Sequence, residues 1–144
     1  MKTEAKLHLI KLVSRYALGL VWLYEGLVPK LVFPRADQTE LVRNSGWWWH
    51  SPDLTLQLLG LAQIAVGLWL LTGWRERAAV VIATGWMLLL IVLVANGNPA
   101  MLTDPYGALV KDLCLIACAT TVWLLAGRGP AEDRRTLTTL PGAT

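Results

Sequence analysis

Residues 54–96 read LTLQLLGLAQIAVGLWLLT, then GWRER, then AAVVIATGWMLLLIVLVAN. The two apolar runs, 54–72 and 78–96, contain no charged side chain. Each is close to the roughly 20 residues with which a helix crosses about 30 Å of hydrocarbon. Because the linker between them is short, the chain must reverse its direction there. The pattern therefore predicts two antiparallel membrane-spanning helices.

Two further apolar stretches, 7–28 and 106–126, lie on either side of this pair. Apolar residues make up 55% of the chain and charged residues 16%, against about 45–50% and 25% in soluble domains. A soluble domain of 144 residues has too little interior for that excess. We therefore expect an all-α integral membrane four-helix bundle of antiparallel up-down hairpins over residues 1–127. A polar, disordered cytoplasmic tail is expected at 128–144.

The basic residues indicate the orientation. Nine Lys and Arg lie in the N-terminal segment, the 73–77 linker and the tail, and four lie in the 29–52 loop and at Lys111. Positive charge favours the cytoplasmic side, so both termini are expected in the cytoplasm of a bacterial-type inner membrane. Since these clusters flank apolar runs, the net charge of +3 does not indicate nucleic-acid binding. Trp47-Trp48-Trp49-His50 favours a position among lipid headgroups, and a lid over a ligand site is the alternative.

Several polar residues lie inside the predicted spans, where a polar side chain is energetically costly unless it has a partner or a function. Their spacing on the first span places them on one helical face, and Lys11 is close enough to the cytoplasmic end to reach the interface by snorkelling. Glu25 is deeper, and its depth overlaps that of Lys111 and Asp112 on the fourth span. We therefore expect a Glu25–Lys111 pair. The residues on this face of the first span are His8, Lys11, Arg15, Leu18, Trp22 and Glu25.

These residues define a candidate site between the first and fourth spans. The catalytic or proton-handling candidates are Glu25, Lys111 and Asp112. The ligand-binding candidates are Trp22, Glu25, Gln57, Gln63, Trp86, Asn96 and Lys111. The alternative is a satisfied polar network that only fixes helix register, with Trp86 as a packing residue.

Cys114 and Cys118 are one helical turn apart, which is unfavourable for a disulfide on an intact helix. Small residues at this spacing more often allow close helix packing, so we favour packing over a redox pair. Two cysteines are too few for a structural zinc site, and no metal is expected. The seven-residue glycine repeats, Gly19 with Gly26 and Gly60 with Gly67, also predict close-packed helix seams.

Three stretches resemble the DoxX-like family of small membrane proteins. They are WLYEGLVPKL at 22–31, GLAQIAVGLWLLTG at 60–73, and the run from Asn98-Pro99 through Asp104-Pro105-Tyr106-Gly107 to Lys111-Asp112. The resemblance covers about residues 10–126 and implies a four-helix membrane bundle. Some relatives are membrane subunits of thiosulfate:quinone oxidoreductase, and others are linked to oxidative stress or quinone resistance. The positions that match the family's motifs are Glu25, Gly26, Lys30, Lys111 and Asp112, whereas relatives usually carry other residues at Cys114 and Cys118.

Three functions are compatible with these patterns. The first is an accessory or subunit of a quinone-linked membrane redox system, without autonomous activity, that works with a membrane or peripheral redox protein. The second is a non-enzymatic scaffold or partner subunit. The third is a small-solute transporter, which is disfavoured because four helices leave little room for alternating access and would need a homo-oligomer.

Overall fold

The structure is a computed structural model that describes residues 3–103 and 108–127. Every regular element within these residues is helical, which confirms the predicted all-α class. Four long helices match the four predicted apolar spans, although the start of the fourth span and the 128–144 tail lie outside the described residues. The elements are α1 (Thr3–Leu27), a π-helical turn (Val28–Val32), α2 (Ala36–Ser45), α3 (Pro52–Thr72), α4 (Glu76–Gly97), a 3-10 turn (Pro99–Leu102) and α5 (Ala108–Leu125).

The four long helices pack as a bundle in which α1 and α4 each contact both α3 and α5. Glycines allow the closest approach, which is between α1 and α3. A Cβ atom on Gly26 would lie 2.6 Å from the Gly60 carbonyl oxygen, and one on Gly19 would lie 3.2 Å from that of Gly67. Gly26, the second glycine of the α1 repeat, faces Gly60, the first glycine of the α3 repeat, so the two helices are antiparallel. The predicted glycine seams are therefore confirmed, and they face each other.

The apolar side chains divide between a thin core and a broad outer surface. Leu18 and Trp22 of α1 meet Ala79 and Ala83 of α4 and Val122 of α5 in the buried core. Many large apolar side chains on all four long helices instead remain exposed. By length and composition, α3 and α4 are each able to cross a membrane, and α1 with α2 forms a third candidate if the bent pair is one span.

Helix α2 lies across one end of the bundle and was not predicted. The segment was expected to be a loop, but Ala36–Ser45 is helical and its direction differs by 97° from that of the preceding helix. Leu41 and Val42 are buried against Leu56 and Leu93 of the long helices. Burial of these two side chains explains why a short, mostly polar segment is helical here. We call the end of the bundle covered by α2 the cavity end.

The opposite end, which we call the turn end, contains the tight α3–α4 connection. Gly73 has a φ of +71°, and the Arg15 guanidinium occupies the space where a Cβ at this position would lie. Lys11 Nζ is 3.3 Å from Glu76 Oε2, and Arg15 Nη1 is 2.6 Å from Glu76 Oε1. At this end of the bundle, Lys11 and Arg15 therefore meet a carboxylate of the turn, a partner that the sequence did not predict.

Candidate functional site

A cavity of about 210 Å³ lies at the cavity end, between the long helices and beneath α2. Most of its wall is apolar, with Leu59, Met87 and Ile91 among the contributing residues. Trp22, a predicted ligand-binding residue, is buried and forms part of the wall. Six polar side chains also line the cavity: Glu25, Lys30, Gln38, Gln63, Lys111 and Asp112.

Glu25 and Lys111 form a direct ion pair between α1 and α5. Lys111 Nζ donates a hydrogen bond of 2.9 Å to Glu25 Oε1, so the predicted proximity of these residues is confirmed. The side chains are 27% exposed for Glu25 and 39% exposed for Lys111. The pair therefore stands at the edge of the cavity rather than deep within the bundle.

Lys30 also bonds to Glu25, and a π-helical turn of the backbone makes this contact possible. Pro29 has no N–H and cannot donate a helical hydrogen bond, and a wider π-helical turn replaces the regular one at Val28–Val32. The amide of Phe33 closes this turn on the Val28 carbonyl oxygen at 2.8 Å. The turn directs the buried Lys30 side chain back along α1, where Nζ donates a 2.9 Å hydrogen bond to the Glu25 carbonyl oxygen.

Asp112 follows Lys111 in sequence, but its carboxylate does not take part in an ion pair like that of Lys111 with Glu25. Its side chain lines the cavity, and the residue is only 8% exposed. Both nearby lysines bond to Glu25, and no described residue makes a hydrogen bond or a salt bridge of 4.0 Å or less with the Asp112 carboxylate. Because burying a carboxylate without a partner is unfavourable, this position is a candidate for contact with a ligand.

Two glutamines add amide groups to the cavity wall. Gln63 of α3 is 4% exposed, and Gln38 projects from α2. The side-chain oxygen of each is enclosed by protein, yet it accepts no hydrogen bond from residues 3–103 or 108–127. An unpaired buried amide costs roughly 1–3 kcal/mol, so two of them beside one cavity indicate a surface that is completed by something else.

The structure leaves three predicted ligand-binding residues outside this cavity. Gln57 and Asn96 are exposed and are absent from the cavity wall, so they are not among the polar residues that line it. Trp86 packs against the core, and its buried indole N–H has no acceptor among the described residues. Cys114 and Cys118 are free thiols, the first exposed and the second half-buried. The described residues contain no cluster of His, Cys, Asp or Glu suited to a metal ion.

Lys30 and Gln38 belong to the cavity but were not among the catalytic or ligand-binding candidates, and Lys30 was identified only as a matching motif position. Both lie in the segment that was expected to be a loop. Two local signals could have indicated the α2 helix: Asp37 in its first turn and Gly46 immediately after it, where φ is +71°. Neither signal places Gln38 in the cavity, because the 97° change of direction depends on how α2 packs.

Taken together, the cavity combines apolar walls with a group of charged and amide side chains. Lysine and amide N–H groups can donate hydrogen bonds, and carboxylates and amide oxygens can accept them. An engineered apolar cavity of about 150 Å³ holds a benzene molecule, so a cavity of about 210 Å³ has room for a single substituted ring. The arrangement suits a small ligand with an apolar body and polar ends.

Comparison with known proteins identifies the family. Residues 19–120 match the DoxX-like family, and this stretch includes α2, α3, α4 and all six polar residues of the cavity. No curated protein and no solved structure matches the chain. The match covers more than half of the sequence and agrees with a helical bundle whose surface is apolar. The chain is therefore a membrane protein that belongs to the DoxX-like family.

Proposed function

We propose that the cavity binds the ring of a membrane quinone or a chemically similar molecule, and that the protein is an accessory or subunit of a quinone-linked redox system. The observation that carries this proposal is a cavity of about 210 Å³ with mostly apolar walls and six polar side chains. Membrane quinones combine a small ring that bears polar oxygens with an apolar tail. The cavity accommodates the ring, while the tail extends into lipid.

In this proposal the polar residues hold the ring and handle its protons. Lys30 has N–H groups beyond the one bonded to the Glu25 carbonyl oxygen, and these can donate to a ring oxygen. Glu25 and Lys111 stand at the edge of the cavity, where a proton can pass between the ring and the surroundings. Trp22 forms a flat apolar wall. A membrane or peripheral redox protein exchanges electrons with the ring.

All four long helices cross the bilayer in this proposal, with both termini in the cytoplasm. The support is the excess of Lys and Arg in the N-terminal segment, the α3–α4 connection and the tail. Trp47, Trp48 and Trp49 are exposed near the cavity end, as expected for residues among headgroups. The cavity then lies in the half of an inner membrane that faces away from the cytoplasm.

A pair of adjacent leucines tests the proposed site. Leu59 lines the cavity, whereas Leu58 is exposed on the other side of the same helix. We expect Leu59→Trp to fill the cavity and to weaken duroquinone binding at least tenfold in lipid nanodiscs, while Leu58→Trp leaves it unchanged. Equal affinities of the two variants and the unaltered protein, or no binding by any of them, would contradict the proposal.

A scaffold or partner subunit is the second candidate, and the direct Glu25–Lys111 ion pair favours it. This pair joins α1 to α5 without a ligand, so its role can be to fix how the two helices pack. Affinity purification from membranes tests this candidate. A stable partner that is retained by Leu59→Trp, together with a lower abundance of Glu25→Gln, would favour the scaffold over ring binding.

A further inference from the structure

Hydrogen-bonding groups in the cavity are unevenly paired. Glu25 accepts a hydrogen bond from each of the two lysines. Its carboxylate accepts one from Lys111 and its carbonyl oxygen accepts one from Lys30, each at 2.9 Å. The carboxylate of Asp112, a residue 8% exposed, and the Oε1 atom of Gln63, 4% exposed, accept no hydrogen bond in the described part of the chain. The same cavity therefore presents one carboxylate that accepts a hydrogen bond, one that accepts none from the described residues, and the two amide oxygens of Gln38 and Gln63 without donors among them.

This pairing distinguishes the two oxidation states of a quinone-type ring. The oxidised ring has two carbonyl oxygens, which only accept hydrogen bonds, so it can pair with Lys30 but leaves the ionised carboxylate of Asp112 without a donor. The reduced ring has two hydroxyl groups, each of which donates and accepts. One hydroxyl can donate to Asp112, and the other can bond to the Gln63 amide. A site built around an unpaired acceptor discriminates against a ligand that lacks the donor.

We propose that the cavity selects the reduced, dihydroxy form of its ring ligand, and that Asp112 determines this selectivity by accepting a hydrogen bond from a ring hydroxyl. This inference rests on the proposed function, because it takes the ligand to be a quinone-type ring. It identifies the substrate class as an aromatic diol. Gln63 supports the ring from α3, opposite Asp112 on α5.

The test compares duroquinol with duroquinone, bound anaerobically to the full chain in lipid nanodiscs and measured by titration calorimetry. All ring positions of this pair carry methyl or oxygen groups, which prevents addition of the free Cys114 thiol to an unsubstituted ring carbon. We expect the unaltered protein to bind duroquinol at least tenfold more tightly than duroquinone. This ratio needs no variant, so it remains informative if a substitution prevents folding.

Asp112→Asn tests the role of the carboxylate. The substitution replaces a charged acceptor with a neutral amide oxygen, which accepts a weaker hydrogen bond from a hydroxyl, so duroquinol should bind about tenfold more weakly. Duroquinone should bind as tightly as before or more tightly, whereas a merely structural role would weaken both. Asp53→Asn is the matched control, because Asp53 lies in the first turn of α3 and is exposed, and it should change neither affinity.

The outcomes separate this inference from the proposed function. Equal affinities for the two ring forms, or an equal loss of both in Asp112→Asn, would overturn the selectivity while leaving the ring site in place. Failure of the unaltered protein to bind either form would overturn the proposed function itself. A tenfold preference for duroquinol that Asp112→Asn removes would support both.

Discussion

The two ends of the bundle differ in how completely their charged side chains are paired. At the turn end, Lys11 and Arg15 both contact Glu76, and the three side chains are largely buried. At the cavity end, Glu25 contacts two lysines, but Asp112 makes no hydrogen bond or close ion pair with the described residues, and the Oε1 atom of Gln63 accepts no hydrogen bond from them.

This difference indicates where the molecule is built for stability and where it is built for binding. Buried charges that are paired mainly hold helices together, whereas unpaired buried polar groups reduce stability and persist where they have another use. A cavity of about 210 Å³ lies beside the unpaired groups at the cavity end. Substitutions at the turn end should therefore change stability, and substitutions at the cavity end should mainly change ligand binding.

The largest expected effect is at Glu76. Glu76→Gln leaves the buried Lys11 and Arg15 charges without their carboxylate, and we expect it to lower the free energy of unfolding by roughly 3–5 kcal/mol. Denaturant titration in mixed micelles measures this change. Glu40→Gln is the control, because Glu40 forms an exposed pair with Arg43 and should cost at most about 1 kcal/mol. Similar small losses in both variants would refute the stabilising role of the turn end.

The α1–α3 seam should give the next largest effect. A Cβ on Gly26 would lie 2.6 Å from the Gly60 carbonyl oxygen, so Gly26→Ala must push the helices apart. We expect a loss of roughly 1–3 kcal/mol in the same titration. Gly85→Ala is the matched control, since a Cβ there would meet no atom within 4 Å and should cause no loss. If the two variants behave alike, the seam is not close-packed.

Gln63→Leu should raise the stability of the protein, whereas the two preceding substitutions lower it. Gln63→Leu removes a buried amide oxygen that accepts no hydrogen bond in the described chain, so the protein should gain up to about 1–2 kcal/mol in stability while binding duroquinol less tightly. Gln57→Leu lies on the exposed surface of the same helix and should leave the affinity for duroquinol unchanged. A loss of stability in Gln63→Leu would mean that the amide has a structural partner.

The smallest effect on stability is expected at Glu25. Its pair with Lys111 is partly exposed, so Glu25→Gln should cost only about 0–1 kcal/mol. Binding of duroquinol should weaken measurably, because the Glu25 carboxylate positions Lys111, whereas Lys30 keeps its bond to the Glu25 carbonyl oxygen. A large loss of stability with unchanged binding would instead place Glu25 with the structural charges of the turn end.

Hydropathy was sufficient to predict the long helices, and depth along the helices was sufficient to predict the Glu25–Lys111 pair. Rotation around a helix axis was harder to predict. Gln57 and Gln63 are six residues apart, which corresponds to about 240° of rotation, so they lie on different faces and only Gln63 lines the cavity. The partners of Lys11 and Arg15 were missed because Glu76 belongs to a turn whose packing is a tertiary feature.

The most direct test of the ligand site is a high-resolution density map of the protein purified in native lipid. We predict flat density within the cavity, in contact with Trp22 and within hydrogen-bonding distance of Asp112 and Gln63. Side chains that close the space, or water molecules alone beside these two residues, would contradict the account.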